Sequence, residues 1–223
     1  MKIRVILTGA TGMIGRAVLQ ECLHNNDVES ILVIGRRSCG TEDPRLKEIL
    51  LPDLADLSPV IQELGGYNAC FFCLGVSSAG LSEETYHKIT FDLTLRFATA
   101  LKERNPGMCF CYISGAGTDS TEKGRSMWAR VKGRTENALL SLGFKSAYMF
   151  RPGMIIPLHG IRSRTLLYNV MYGLMRPFYP LLIKKPKYVT DTDRLSRAMI
   201  RVASEGYESK ILESLDINRV AEL

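Results

Sequence analysis

The opening stretch "IRVILTGATGMIG" (3–15) constrains the fold more than any other part of the chain. "IRVILT" is apolar and β-branched, as a buried strand requires, and Ile14, Ala17, Val18 and Cys22 then fall at helical spacing. Between strand and helix stand Gly9, Gly12 and Gly15, three residues apart. Each answers a physical need. Gly9 permits a tight turn, Gly12 lets backbone approach a pyrophosphate, and Gly15 lets the helix pack closely on the strand. The helix start adds free N–H groups and the positive end of a dipole. The turn is therefore expected to hold a dinucleotide, with Thr11, Met13 and Ile14 lining it beside the glycines.

The rest of the chain repeats that alternation. Strand-like runs recur at "ILVIG" (31–35), "EILL" (48–51), "ACFFCLG" (69–75), "MCFCYIS" (108–114) and "AYMFRPG" (147–153). Helical patterns cover about 13–25, 56–64, 82–104 and 123–142. Near-continuous apolar strands alternating with helices predict a parallel sheet covered on both faces. The expected fold is α/β, a Rossmann-like doubly wound parallel sheet with a small C-terminal substrate-side extension. Its 223 residues suit a single domain, with 1–153 as the dinucleotide-binding core and 154–223 as the extension. After 153, Pro157, Pro177, Pro180 and Pro186 interrupt the pattern, and a helix is expected over 191–204, with Asp191, Thr192 and Asp193 as capping candidates.

The second strand ends "IGRRS". A site built for NAD usually places a carboxylate here for the ribose 2′-hydroxyl. Gly35, Arg36, Arg37 and Ser38 stand there instead. Guanidinium groups grip a 2′-phosphate that a carboxylate would repel, so the expected cofactor is NADP (NADPH) rather than NAD. "LPDLADL" (51–57) follows the third strand and places Asp53 and Leu54 toward the adenine. "CLGVSS" (73–78) closes the fourth, with Leu74 and Gly75 near the inner ribose.

Composition excludes some classes. The formal net charge is +6, but no run of five basic residues occurs, so a solvated surface is expected and nucleic acid is not. The six cysteines include Cys70 and Cys73 in a C-x-x-C inside a strand. Residues three apart on a strand face opposite ways, and no second pair follows, so reduced thiols are expected and no metal site. The N-terminus lacks the apolar run of a signal peptide, and no eighteen-residue apolar stretch occurs, so a cytoplasmic protein without a spanning helix is expected. Leu166, Leu167, Val170, Met171, Leu174 and Met175 fall at helical spacing. Residues 161–183 therefore read as a lid over the cleft or as an apolar face for a peripheral membrane or partner contact.

The motifs "TGATGMIG", "GRR", "DLADL", "CLGVSS", "YISGAG", "VKGRTE" and "FRPG" occur in this order over about residues 3–153. In them the chain resembles the atypical branch of the short-chain dehydrogenase/reductase superfamily, near proteins related to the Tat-interacting oxidoreductase-like protein. The resemblance implies a site with a Ser at the end of the fifth strand and Y-x-x-x-K on the next helix. Ser114 and Lys132 match it, and Arg151, Pro152 and Gly153 match the cofactor-lining "RPG". In such enzymes the Lys holds the nicotinamide ribose and lowers the pKa of the Tyr, which trades a proton with the substrate.

Two positions depart from that pattern. Trp128 occupies the place of the Tyr, and Thr90 that of an Asn common on the preceding helix. An indole N–H donates a hydrogen bond but does not work as an acid or base near neutral pH. Tyr112, Tyr86, Asp119 and His159 are the other groups in sequence range of the cleft. Two functions stay open. One is an NADP-dependent oxidoreductase or epimerase of an unknown small molecule. The other is a dinucleotide-binding sensor or interaction protein that has lost turnover.

Overall fold

The computed structural model describes residues 2–161 and 173–223. Strands β1 (Ile3–Thr8), β2 (Val28–Gly35), β3 (Leu46–Leu50), β4 (Ala69–Phe72), β5 (Cys109–Ile113), β6 (Ser146–Arg151) and β9 (Ile211–Glu213) form one parallel sheet. Their order is β3-β2-β1-β4-β5-β6-β9. The chain winds outward from β1 to β3 and then crosses back to β4, so the order reverses between β1 and β4. In open α/β sheets ligands bind outside the carboxyl ends of the strands at such a reversal. The register levels those ends: Thr8 lies opposite both Ile34 and Phe72, and Phe72 opposite Tyr112.

Side-chain alternation along the strands feeds two cores. Ile3, Val5 and Leu7 join α1 (Met13–His24) on one face, while Ile6 joins the other. The second face is covered by a 3-10 helix (Ser58–Leu64), α3 (Leu93–Arg104) and α4 (Met127–Ser141). Before α3 come α2 (Glu83–His87), capped by Ser82, and a π-helical turn (Lys88–Asp92). The helix expected over 82–104 is thus present as one continuous helical run over 83–104, with a π turn inside it.

The expected extension over 154–223 divides. Strands β7 (Met154–Ile156) and β8 (Val189–Asp191) pair in a small sheet of their own. Residues 192–223, however, complete the core, which corrects the reading of the whole stretch as substrate-side. Strand β9 adds the seventh strand, beside β6. Helix α5 (Thr192–Glu205) buries Leu195, Ala198 and Met199 in the same cluster as Val18, Leu19 and Cys22 of α1. Asp191 caps α5 by accepting from the Arg194 N–H at 2.8 Å. Helix α6 (Ser214–Glu222) opens on a capping box between Glu213 and Asp216. Of the apolar positions at helical spacing in 161–183, Leu166, Leu167, Val170 and Met171 lie outside the described residues.

Candidate functional site

The glycine turn is dictated by close backbone approach. Gly9 has φ +74°, and a Cβ there would lie 2.5 Å from the Cys73 carbonyl oxygen. A Cβ on Gly15 would lie 2.2 Å from the Gly9 carbonyl oxygen, so helix and turn meet where no side chain fits. Gly12 is the N-cap of α1, with no side-chain cap and no acid in the first turn. The cap residue itself therefore offers the first-turn N–H groups no carboxylate or hydroxyl. Met13 and Ile14 pack on the core from the turn. Thr8, fully buried just before it, leaves its Oγ1 without a hydrogen-bond partner among the described residues. A tight cradle, a glycine-capped helix start and an orphaned hydroxyl together fit a phosphate-bearing ligand.

Arg36 and Arg37 follow β2 at the same edge, exposed and without an ion pair among the described residues. The nearby carboxylate is Glu48 on β3, which no sequence motif singles out. It accepts from the Ser38 hydroxyl at 2.6 Å and the Cys39 N–H at 2.7 Å. Burial pushes Glu48 up, but these bonds outweigh it and hold the carboxyl below its ordinary range. Its charge is engaged in folding the 38–40 loop. Asp53 is exposed and accepts from the Ala55 N–H at 2.8 Å, whereas Leu54 is buried in the core. Leu74 is half-buried and Gly75 exposed, with no atom within 4 Å of where a Cβ would stand on Gly75.

At the other end of the cleft, α4 presents Trp128, Lys132 and Glu136 four residues apart, hence on one stripe. Lys132 Nζ donates to the Ser114 carbonyl oxygen. Burial lowers its amine to about 8, against a smaller upward pull from Glu136. Trp128 is half-buried, its indole 3.5 Å from where a Cβ would stand on Gly117. Ser114 is buried, and its hydroxyl donates to the Phe150 carbonyl at 3.0 Å, so in this conformation it is turned away from solvent. The structure thus brings Ser114 and Lys132 together through the Ser114 backbone oxygen, while the Ser114 hydroxyl is engaged by the Phe150 carbonyl.

Arg151, expected against the cofactor, is committed elsewhere. Its Nε donates to both oxygens of Glu136, at 3.1 and 3.2 Å, and its Nη2 donates to Glu136 Oε2, while among the described residues its other polar partners are Ser120 and Glu213. Glu136 is wholly buried. Pro152 contributes a carbonyl to the Ala116 N–H at 2.8 Å. Gly153 sits where a Cβ would meet the Tyr188 carbonyl at 2.3 Å, and its N–H donates to Ser214. These three residues tie β6 to its neighbours, a role that spacing alone did not separate from ligand contact.

The substitute acids fare no better. Tyr112 and Tyr86 are both buried, and burial raises both phenols. Asp119 folds its own loop, accepting from Thr121 and from the Gly124 N–H, and these bonds lower it. His159 pairs with Asp193 at 2.8 Å across to α5, which raises the imidazole. Thr90 is buried in the π-helical turn, its carbonyl accepting from Thr94.

All six cysteines are free, and burial pushes Cys73 up to about 12. Among the described residues no group of three or more His, Cys, Asp or Glu comes together as a metal site would need. No described helix is long and apolar enough to cross a membrane. A cavity of about 520 Å³ lined by Lys2, Asn26, Val28, Glu29 and Arg45 opens at the amino ends of the strands, away from these groups.

Known proteins place this geometry. Residues 5–123 match the family model described as the NAD dependent epimerase/dehydratase family. The mitochondrial protein fmp52-2 of Neosartorya fischeri is 28% identical over 217 residues, covering 95% of this chain and 93% of the relative. Its namesake from Aspergillus terreus is 29% identical over 150 residues, and there the match spans 66% of this chain and 65% of the relative. Protein HTATIP2 of Rattus norvegicus is 26% identical, over 68% of this chain and 62% of that protein. Among solved structures, Bordetella bronchiseptica WbmF in complex with NAD+ has a TM-score of 0.69 at 14% identity, covering 99% of this chain and 78% of that one. The Saccharomyces cerevisiae short-chain dehydrogenase/reductase YIR035C has a TM-score of 0.68 at 13% identity, covering 99% and 98%.

The relatives overturn the expected cytoplasmic location. Proteins from Neosartorya fischeri, Emericella nidulans and Eremothecium gossypii are all named as mitochondrial. Reduced thiols report a redox potential, and more than one compartment meets it. With the family model matched over more than half of this chain and this sheet behind the match, the chain belongs to the NAD dependent epimerase/dehydratase family.

Proposed function

We propose that this protein binds NADP(H) and acts as an oxidoreductase or epimerase of a small molecule, with its turnover limited by Trp128. The observation that carries the cofactor choice is the pair Arg36 and Arg37, exposed and without an ion pair among the described residues beyond β2, with Glu48 already occupied. Neighbours crystallised with NAD or NAD+ support a nicotinamide dinucleotide. The glycine turn and the α1 N–H groups would hold its diphosphate. Arg36 and Arg37 would hold the 2′-phosphate. Lys132 would anchor the nicotinamide ribose. When bound, such a cofactor supplies a hydride donor or acceptor. With an indole in the Tyr position, Lys132, lowered to about 8, is left as the group that holds or moves a proton near neutral pH.

Fluorescence titration with NADPH and NADH tests this reading. Replacing Arg36 and Arg37 by Ala is expected to weaken NADPH about ten- to a hundredfold, the scale of one or two lost charge-assisted bonds, and to leave NADH unchanged. Equal wild-type affinities for the two coenzymes would sink the NADP assignment.

A second reading, a dinucleotide-binding protein without turnover, is favoured by the buried phenols and the Ser114 hydroxyl held on Phe150. Trp128→Tyr separates the two. If the pocket is otherwise intact, turnover of carbonyl substrates should rise roughly tenfold, below the full contribution of a positioned acid because Ser114 is engaged. No turnover in either form would favour the binding protein.

A further inference from the structure

The net charge of the molecule lies in one segment. Between residues 157 and 190 the sequence holds Arg162, Arg164, Arg176, Lys184, Lys185 and Lys187 and no Asp or Glu. Removing these six from the 29 basic residues leaves 23, equal to the 23 acidic ones. The remainder of the chain is neutral by that count, and the +6 belongs to this segment.

The described part of the segment also exposes apolar side chains. Leu174 is 74% exposed, Phe178 59%, Leu181 64% and Tyr188 62%. Arg176, Lys184, Lys185 and Lys187 are exposed or half-exposed beside them, and none forms an ion pair among the described residues. The stretch includes a 3-10 turn (Arg176–Phe178) and a short helix (Tyr179–Leu182), neither with a buried residue. Apolar and cationic groups with no carboxylate between them match the chemistry of an anionic bilayer surface. Leu and Phe enter the acyl boundary, Tyr sits at the headgroups, and Lys reaches the lipid phosphates.

We propose that residues 173–188 dock the protein on anionic membranes. Charge decides between this and the other occupants. A second copy would bring the same cations to a two-fold contact, setting like charges against each other. A nucleic acid satisfies the lysines but offers Leu174 and Leu181 no apolar phase. The segment leaves the core through β7 and returns through β8, and β7 starts beside the Ala116–Pro152 hydrogen bond near Ser114. The Tyr188 end of the docking face therefore meets the chain just after β6, its carbonyl accepting from the Met154 N–H at 2.9 Å.

Sedimentation of the full chain with phosphatidylcholine vesicles, with and without phosphatidylserine, tests the assignment. Binding is expected only with phosphatidylserine and should fall as salt rises. Replacing Lys184, Lys185 and Lys187 by Gln should reduce partitioning on the order of a hundredfold. Replacing Leu174, Phe178 and Leu181 by Ser should also release the protein, with thermal unfolding unchanged because these side chains are exposed. Wild type remaining in the supernatant, or both variants binding as wild type does, overturns the proposal. So does a dimer in sedimentation equilibrium that the Ser variant abolishes, or retention on an oligonucleotide column without vesicle binding.

Discussion

Arg151→Met is expected to destabilise the fold by about 3–5 kcal/mol, read as a lower urea midpoint at neutral pH. The cause is the neighbour it leaves behind. Glu136 is wholly buried, and among the described residues its side chain is bonded by the Arg151 guanidinium. Met nearly matches the length of the Arg stem but supplies no charge and no donor, so a carboxylate stays buried and uncompensated. Glu136→Gln should cost less, because Arg151 keeps Ser120 and reaches the half-exposed Glu213 at 3.7 Å. The Arg151→Met, Glu136→Met double variant should recover part of the loss, since neither buried charge then remains. A single-variant cost below roughly 1 kcal/mol, the range of an exposed pair, would show that this ion pair does not need its partner.

The parts of the molecule that were legible in the sequence are those that sterics impose on one short segment. Gly9 and Gly15 stand where a Cβ would strike backbone, so their spacing announces the turn before any tertiary contact is known. Arg36 and Arg37 are legible for a similar reason: the end of a strand fixes their place. What escaped lies between segments. Glu136 and Arg151 are fifteen residues apart on different elements, and nothing local says they meet. Nor does "YISGAG" reveal that the Ser114 hydroxyl turns onto Phe150, because that depends on β6 lying beside β5. Strand β9 is three residues long, too short for an alternation to register, so the C-terminal stretch looked peripheral when it completes the sheet. The charge of 157–190 was legible all along, but only once cations and carboxylates are counted by segment.

Lys132→Met is expected to make the protein more stable at neutral pH while weakening its hold on a dinucleotide. Burial lowers the Lys132 amine from 10.5 to about 8, so the folded state carries the ammonium at a cost below that range. Between pH 8 and 10.5 the unfolded chain binds more protons at this site than the folded one, and wild-type stability should rise with pH through that window. Below it both states are protonated and the full penalty of about 3 kcal/mol applies. Met removes the penalty but leaves the Ser114 carbonyl without its donor, which returns on the order of 1 kcal/mol. The net gain at pH 7 is then about 2 kcal/mol, shrinking toward zero or below as pH climbs past the folded pKa. Glu136 stays paired with Arg151 in the variant, so no second charge is stranded. Urea unfolding of both proteins at several pH values, with NADPH titration alongside, reads both effects. Parallel stability curves for the two proteins would mean that Lys132 is not a strained group, and unchanged NADPH affinity would mean that it is not a ribose anchor. A lysine kept at such a cost in the free protein is what a site residue looks like when its return comes only with ligand bound.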